Sequence, residues 1–149
     1  MAAPKVSSII IIAITLAGML LTVTAASVIS VNEALPTRGS ISAINVGIYS
    51  DSGCSQKLTS IDWGDIAPGG TVTKTIYVKN TGNKQLMLQM TKTNWNPSGA
   101  DGPISITWDR EGTNISAGQS IQAVITLTVS SAISGINDFS VDIVITGVG

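Results

Sequence analysis

The sequence predicts an all-β fold, a single sandwich of two sheets preceded by one apolar N-terminal helix. Ser, Thr, Gly, Val and Ile abound beyond the N-terminus, where the helix formers Glu, Ala and Lys are scarce. Apolar and polar residues alternate in short runs separated by Gly, Pro, Asn and Asp. Once residues 1–31 are assigned to the apolar segment, the rest of the 149-residue chain suits one domain.

The N-terminal segment, residues 1–31, indicates the compartment. No residue from Val6 to Asn32 is charged, while Lys5 precedes the stretch and Glu33 follows it. As a helix, this stretch would be about 40 Å long, enough to cross a hydrocarbon core of about 30 Å. A basic residue on the short flank favours a cytoplasmic N-terminus, so we expect the following domain to be exported.

The sequence leaves the processing of this segment open. Small residues around Ala26 would suit a signal peptidase, which favours a cleaved secretory signal. The apolar run continues to Val31, beyond the length of an ordinary signal core, which favours a retained anchor. Both alternatives place the domain outside the cell or at its surface, with the membrane as a partner at least during export.

A linker is predicted at residues 32–40, where Pro36 and Gly39 interrupt regular structure, and the β-domain at 41–149. Alternation is clearest in the last two predicted strands, in which every second residue is apolar and should face the core. About seven strands with turns between them are typical of an immunoglobulin-like sandwich. The predicted strands are 41–49, 57–63, 71–79, 85–92, 104–109, 119–129 and 138–147.

The composition argues against most active sites. The chain has no His and its only cysteine is Cys54, so neither a Cys–His nucleophile nor a Cys/His metal cluster can be built from it. Its net charge of −1 provides no basic surface for nucleic acid. The turn at 68–70 is too short for a phosphate loop and lacks its Lys. We therefore predict a protein that is not an enzyme, with no cofactor, no metal and no evident small-molecule substrate.

The tryptophans and the acidic residues near one of them are the first candidates for a binding site. Asp62 and Asp65 flank Trp63, as an acid–base pair beside a sugar-binding ring would. Carboxylates three residues apart at a turn are also ordinary turn chemistry, and this is the interpretation we adopt. Trp95 and Trp108 are predicted to be packing aromatics.

Polar residues of the predicted loops give the remaining candidates. Asp101, Asp109 and Glu111 have the oxygen ligands that calcium prefers but lack the regular alternation of acidic ligands in a calcium loop. Asn114 begins an Asn-Ile-Ser glycosylation acceptor in a predicted loop. Cys54 lies in the turn DSGCS, and we expect it to be structural and not catalytic.

Two stretches carry a resemblance to known families. The segment DWGDIAPGGTVTKTIYVKNTGN, residues 62–83, resembles a hairpin of the camelysin/TasA matrix-fibre proteins, and the region of roughly 38–147 resembles short archaeal surface proteins. The N-terminal KVSSIIIIAITLAG is similar to archaeal type IV pilin-like segments, which implies a further alternative, a cut near Lys5. The two resemblances imply a filament subunit that assembles through packed N-terminal helices or through a donated N-terminal strand.

Function is therefore expected to be structural. The final strand carries Asp142 as its only interior charge and no proline, so we predict an unprotected sheet edge there. The apolar segment from Ser27 to Ser42 would suit such an edge, which predicts a homo-oligomer that assembles through its N-terminal segment. The alternative function is a membrane-tethered immunoglobulin-like module that binds a partner through its loops.

Overall fold

The computed structural model describes residues 35–149, and within them the chain forms nine β-strands and one 3₁₀ turn at Ser98–Ala100. The predicted helix at 1–31 lies outside the described residues. The all-β prediction is confirmed, with nine strands where about seven were expected. The strands are β1 Leu35–Ile44, β2 Val46–Tyr49, β3 Ser60–Ile66, β4 Thr71–Asn80, β5 Leu86–Asn96, β6 Ile104–Trp108, β7 Asn114–Ile115, β8 Ser120–Val129 and β9 Phe139–Val148.

The strands form two sheets that enclose one apolar core. The five-stranded sheet has the order β3-β1-β9-β5-β7 and the four-stranded sheet the order β2-β4-β8-β6. The inward faces predicted for the last two strands are confirmed, since Ile125 and Leu127 on β8 and Ile143 and Ile145 on β9 are fully buried. Alternate side chains of each strand thus supply the core, as a period of two requires.

The first predicted strand, 41–49, is divided between the two sheets. Asn45 has a φ of 63°, a left-handed conformation that Asn tolerates better than most residues, and the chain crosses there from β1 to β2. The Asn45 side-chain amide donates a 3.0 Å hydrogen bond to the Gly147 carbonyl on β9. The local chemistry of one residue thus moves the chain from one sheet to the other.

Strand β1 begins at Leu35, so residues 35–40 of the linker predicted at 32–40 belong to a strand. Pro36 is tolerated because pairing of β1 with β9 starts only at Thr37, so no ladder bond on that side needs its missing N–H. Gly39 suits its position because Trp63 packs closely against it: a Cβ at residue 39 would lie only 3.3 Å from Trp63 Nε1. Two residues that interrupt strands elsewhere are accommodated in this one.

The predicted free edge on the final strand is also wrong. Strand β9 lies at the centre of the five-stranded sheet, parallel to β1 on one side and antiparallel to β5 on the other. The pairing with β1 runs from Thr37 opposite Phe139 to Ile44 opposite Thr146. Part of the segment expected to reach another copy, residues 37–42, therefore pairs with β9 of its own chain.

Candidate functional site

Trp63 belongs to the core and offers no surface for a sugar ring. Its side chain is 3% exposed and packs in the apolar cluster between the sheets. The neighbouring Asp62 accepts a 2.9 Å hydrogen bond from the Gly64 N–H, and Gly64 has a φ of +74° at a bulge in the pairing of β1 with β3. Asp62 and Asp65 thus lie within β3, beside a bulge and not at the predicted turn, while Trp63 belongs to the core.

Two of the three acidic residues considered for calcium accept hydrogen bonds from the backbone. Asp109 accepts a 2.8 Å hydrogen bond from the Val124 N–H, and Glu111 accepts a 3.0 Å bond from the Met90 N–H. Asp101 is exposed on a separate turn. No three His, Cys, Asp or Glu side chains of the described residues are grouped to hold a metal ion.

Both remaining tryptophans pack against the core, as predicted. Trp95 lies beside Phe139 with ring centroids 6.0 Å apart and planes tilted by 30°. Trp108 is half-buried, and its Nε1 donates a 2.7 Å hydrogen bond to Glu111 Oε2. Because one Glu111 oxygen accepts both this bond and the Met90 N–H, it fastens the turn after β6 to the edge of β5.

Cys54 lies in a turn that a carboxylate organises. Asp51 accepts backbone N–H bonds from Gln56 at 2.7 Å and from Ser55 at 3.0 Å. The bond from Gln56 contributes most to a pKa of Asp51 below its usual value. Cys54 itself is half-exposed, with a φ of 52° and its Sγ 4.0 Å from the Ser52 carbonyl. The Ser52 carbonyl is thus the one polar contact of the thiol among the described residues.

We expect Cys54→Ser to change the free energy of unfolding by less than about 1 kcal/mol, because the thiol is half-exposed and its only polar contact is long. Urea denaturation of the wild type and the variant measures the difference. A loss of more than about 3 kcal/mol would show that the side chain is a buried packing element.

Asn114 lies in a strand and not in the predicted loop. It is exposed on β7, which pairs with β5 so that Asn114 is opposite Met87 and Ile115 opposite Leu86. The pairing arises because Ile115 is buried in the core at 3% exposure, which holds the short strand against the sheet. The glycosylation acceptor is thus exposed at a sheet edge.

Asn80 is a structural residue that the sequence reasoning did not identify. Its side chain is fully buried and donates hydrogen bonds to the Lys84 carbonyl at 2.7 Å and the Ile115 carbonyl at 3.0 Å. Its Oδ1 accepts the Gly82 N–H at 2.9 Å. One amide therefore joins the turn after β4 to β7, and the turn motif Asn-Thr-Gly-Asn was the available signal.

Strand β4 has an open edge along its first half. Strand β2 pairs with Tyr77–Asn80 of β4, whereas β8 pairs with the opposite side from Thr71 to Lys79. The Val129 N–H bonds to the Gly70 carbonyl, so by alternation the N–H and C=O groups of Thr71, Thr73 and Thr75 point away from β8. No described strand pairs with them there.

A groove of about 200 Å³ lies beside this open edge. Leu58, Ile61 and Ile76 form its apolar part, and Lys74 and Asp62 are its charged residues. Lys74 is half-buried on the inward-facing side of β4. A charge directed inward at a sheet edge discourages pairing with arbitrary strands. A strand that pairs at this edge would need a negatively charged group near the Lys74 ammonium.

Asp142 joins three strands on the outer face of the five-stranded sheet. The Ser40 hydroxyl on β1 donates to one carboxylate oxygen, and the Asn94 side-chain amide on β5 donates to the other at 2.7 Å. The bond from Asn94, followed by that from Ser40, holds the pKa of Asp142 below its ordinary value. The carboxylate thus fastens β9 to both of its neighbours.

Acid should weaken this link. Because the pKa of Asp142 is lower in the folded chain than in the unfolded chain, its carboxylate stabilises the fold at pH values above the unfolded-state pKa of about 3.9. This stabilisation is lost as the pH falls through the folded-state pKa. We expect the free energy of unfolding to fall below about pH 4, and Asn94→Ala to make that fall shallower by removing the principal donor. Urea denaturation from pH 2 to pH 6 measures both slopes, and identical slopes would contradict the assignment.

Two further findings concern membranes and relatives. Between Leu35 and Gly149 no helix has the length and apolarity to span a bilayer. No model of a protein family matches the chain, and no curated protein sequence matches it.

Proposed function

We propose that this chain is an exported structural protein, a subunit of a cell-surface filament or layer formed with copies of itself. The observation that carries the proposal is the uncharged stretch from Val6 to Asn32, which as a helix would be long enough to cross a membrane and which precedes the β-domain. The finer fold assignment, an immunoglobulin-like sandwich preceded by an apolar helix, is part of the proposal.

Assembly would use the segment that precedes β1. Residues 35–44 are already paired within the chain, so a strand donated to a neighbour must come from residues 27–34. The open edge of β4 would accept it, because Thr71, Thr73 and Thr75 direct unpaired backbone groups there. Glu33 in the donated segment has the charge that suits Lys74 beside that edge. Packing of N-terminal helices, as in type IV pilin-like filaments, is the other mode.

A membrane-tethered immunoglobulin-like binding module is the second candidate function. A cleft of about 380 Å³ at one end of the sandwich favours it. Arg38, Asn96 and Asp138 line this cleft beside Phe139, so charged, amide and apolar groups converge there. In that case the ligand would bind at the loops and the N-terminal segment would only anchor the domain.

Export is tested with the chain's own thiol. Cys54 is the only cysteine and is half-exposed, so a membrane-impermeant maleimide should label it on intact cells. Cys54→Ser is the matched control and should not be labelled. Labelling only after the cells are lysed would overturn the proposal, and mass spectrometry of the labelled protein reads its mature N-terminus, distinguishing retention from cuts near Lys5 and Ala26.

A further inference from the structure

The largest exposed hydrophobic side chains of the described residues lie on one surface. Ile44 is 52% exposed, Met87 37% and Val148 44%. All three belong to the five-stranded sheet, on β1, β5 and β9. Met87 and Val148 each lie next to a buried residue, and Ile44 continues the outward-facing series of exposed residues 38, 40 and 42 on β1, so all three face outward. We call Ile44, Met87 and Val148 the apolar patch.

The strand register brings these residues to the same end of the sheet. Met87 lies directly opposite Val148. Ile44 lies opposite Thr146, which is two residues before Val148 on the same face of β9, so Ile44 and Val148 are diagonal neighbours. Apolar side chains grouped in this way on an exposed sheet usually mark a surface that something covers.

The glycosylation acceptor lies beside the apolar patch. Asn114-Ile115-Ser116 is the chain's one Asn-X-Ser/Thr sequence in which X is not proline. Asn114 is exposed and lies opposite Met87, so Asn114, Met87 and Val148 form one row across β7, β5 and β9. Strands are spaced about 4.8 Å apart, so the row is about 10 Å long.

We propose that Asn114 carries an N-linked glycan and that its first sugars lie over the apolar patch. A pyranose ring has an apolar C–H face, which would pack on Met87 and Val148, while its hydroxyls stay in water. Charged side chains often protect an exposed sheet from unwanted pairing, and the outward-facing residues at this end of the sheet are uncharged. The glycan would provide that protection here. The inference rests on the export of the domain, because the donor sugars are delivered outside the cytoplasm.

The modification is a glycosyl transfer from a lipid-linked sugar by a membrane glycosyltransferase. The Asn114 Nδ2 attacks the anomeric carbon of the sugar, and a C–N bond forms. The bond from that carbon to the lipid phosphate oxygen breaks, the lipid phosphate leaves with the electron pair, and one amide proton passes to a base of the transferase. Exposure of the amide at the short edge strand β7 gives the transferase access.

Occupancy is tested on the native protein. Peptide mass spectrometry of the protein from the organism that makes it should show the Asn114 peptide carrying hexose-containing mass, and Ser116→Ala should abolish that mass. Maleimide labelling of Cys54 in the same intact cells distinguishes a failure of the glycan proposal from a failure of the export proposal. A labelled protein with bare Asn114 overturns the glycan while leaving export intact, and an unlabelled protein with bare Asn114 overturns both.

Coverage of the patch is tested by the binding of a fluorescent hydrophobic dye. Ser116→Ala should bind the dye several-fold more strongly than the glycosylated wild type, and adding Met87→Thr and Val148→Thr should return the signal to the wild-type level. Enzymatic removal of the glycan from folded wild-type protein gives the same comparison without a mutation. Equal dye binding before and after that removal would overturn the covering role.

Discussion

Replacing Asn80 by Leu should cost about 3 to 5 kcal/mol of the free energy of unfolding, because the change removes three hydrogen bonds at a fully buried site and leaves their backbone partners unsatisfied. Leu is similar in size to Asn but offers no group to the Gly82 N–H or to the Lys84 and Ile115 carbonyls. Urea denaturation of residues 33–149, which form one compact unit, measures the loss.

The matched control for this prediction is Asn83→Ala in the same turn. Asn83 is exposed, so the control should change the free energy of unfolding by less than about 0.5 kcal/mol. Equal losses for the two variants would show that the turn, and not the buried amide, carries the stability.

Truncating Ile143 to Ala should cost about 2 to 5 kcal/mol, and Ile125→Ala a similar amount. Both side chains are fully buried on the central strands β9 and β8, so the truncation removes apolar contacts from both sheets at once. The matched control is Thr126→Ala on the outer face of β8, where the side chain is half-exposed and the loss should be below about 1 kcal/mol. If Thr126→Ala cost as much as Ile125→Ala, the assignment of the inward face would be wrong.

The inward faces could be predicted because they depend on local alternation. On β8 and β9 a period of two separates buried from outer residues without knowledge of the partners of each strand. The same pattern does not reveal neighbours in the sheet. The parallel pairing of residues 37–44 with β9 joins residues about a hundred positions apart, and neither Pro36 nor Gly39 signals it locally.

The prediction of a free edge on β9 was wrong for that reason. Low charge and the absence of proline indicate a strand that does not need protection, and a central strand meets the description as well as an exposed edge does. The open stretch of β4 was hidden in the sequence because it arises from the length of β2, which ends at Tyr49. Pairing length is a tertiary property, and here the chain leaves β4 in the turn that follows Tyr49, where the Ser50 N–H bonds to the Gln56 carbonyl.

Among the candidate site residues, too, local contacts could be predicted from the sequence and contacts between distant segments could not. The hydrogen bond that Asp62 accepts from the Gly64 N–H is a local contact typical of Asp, but it lies at a bulge in β3 and not at the predicted turn. The contact of Glu111 with the edge of β5 could not be predicted, because it depends on how the turn after β6 folds back on the sheet. The position of Asn114 beside Met87 likewise follows from register and is invisible in the tripeptide.

Sedimentation velocity tests the central claim, self-assembly at the cell surface, most directly. The mature protein sheared from intact cells is compared with residues 33–149 at matched concentrations. We expect the mature protein to sediment as high-mass assemblies, while residues 33–149, which lack residues 27–32 of the donated segment, should sediment as a monomer. A mature protein that sediments as a monomer at the highest concentration would contradict the account and favour the tethered binding module.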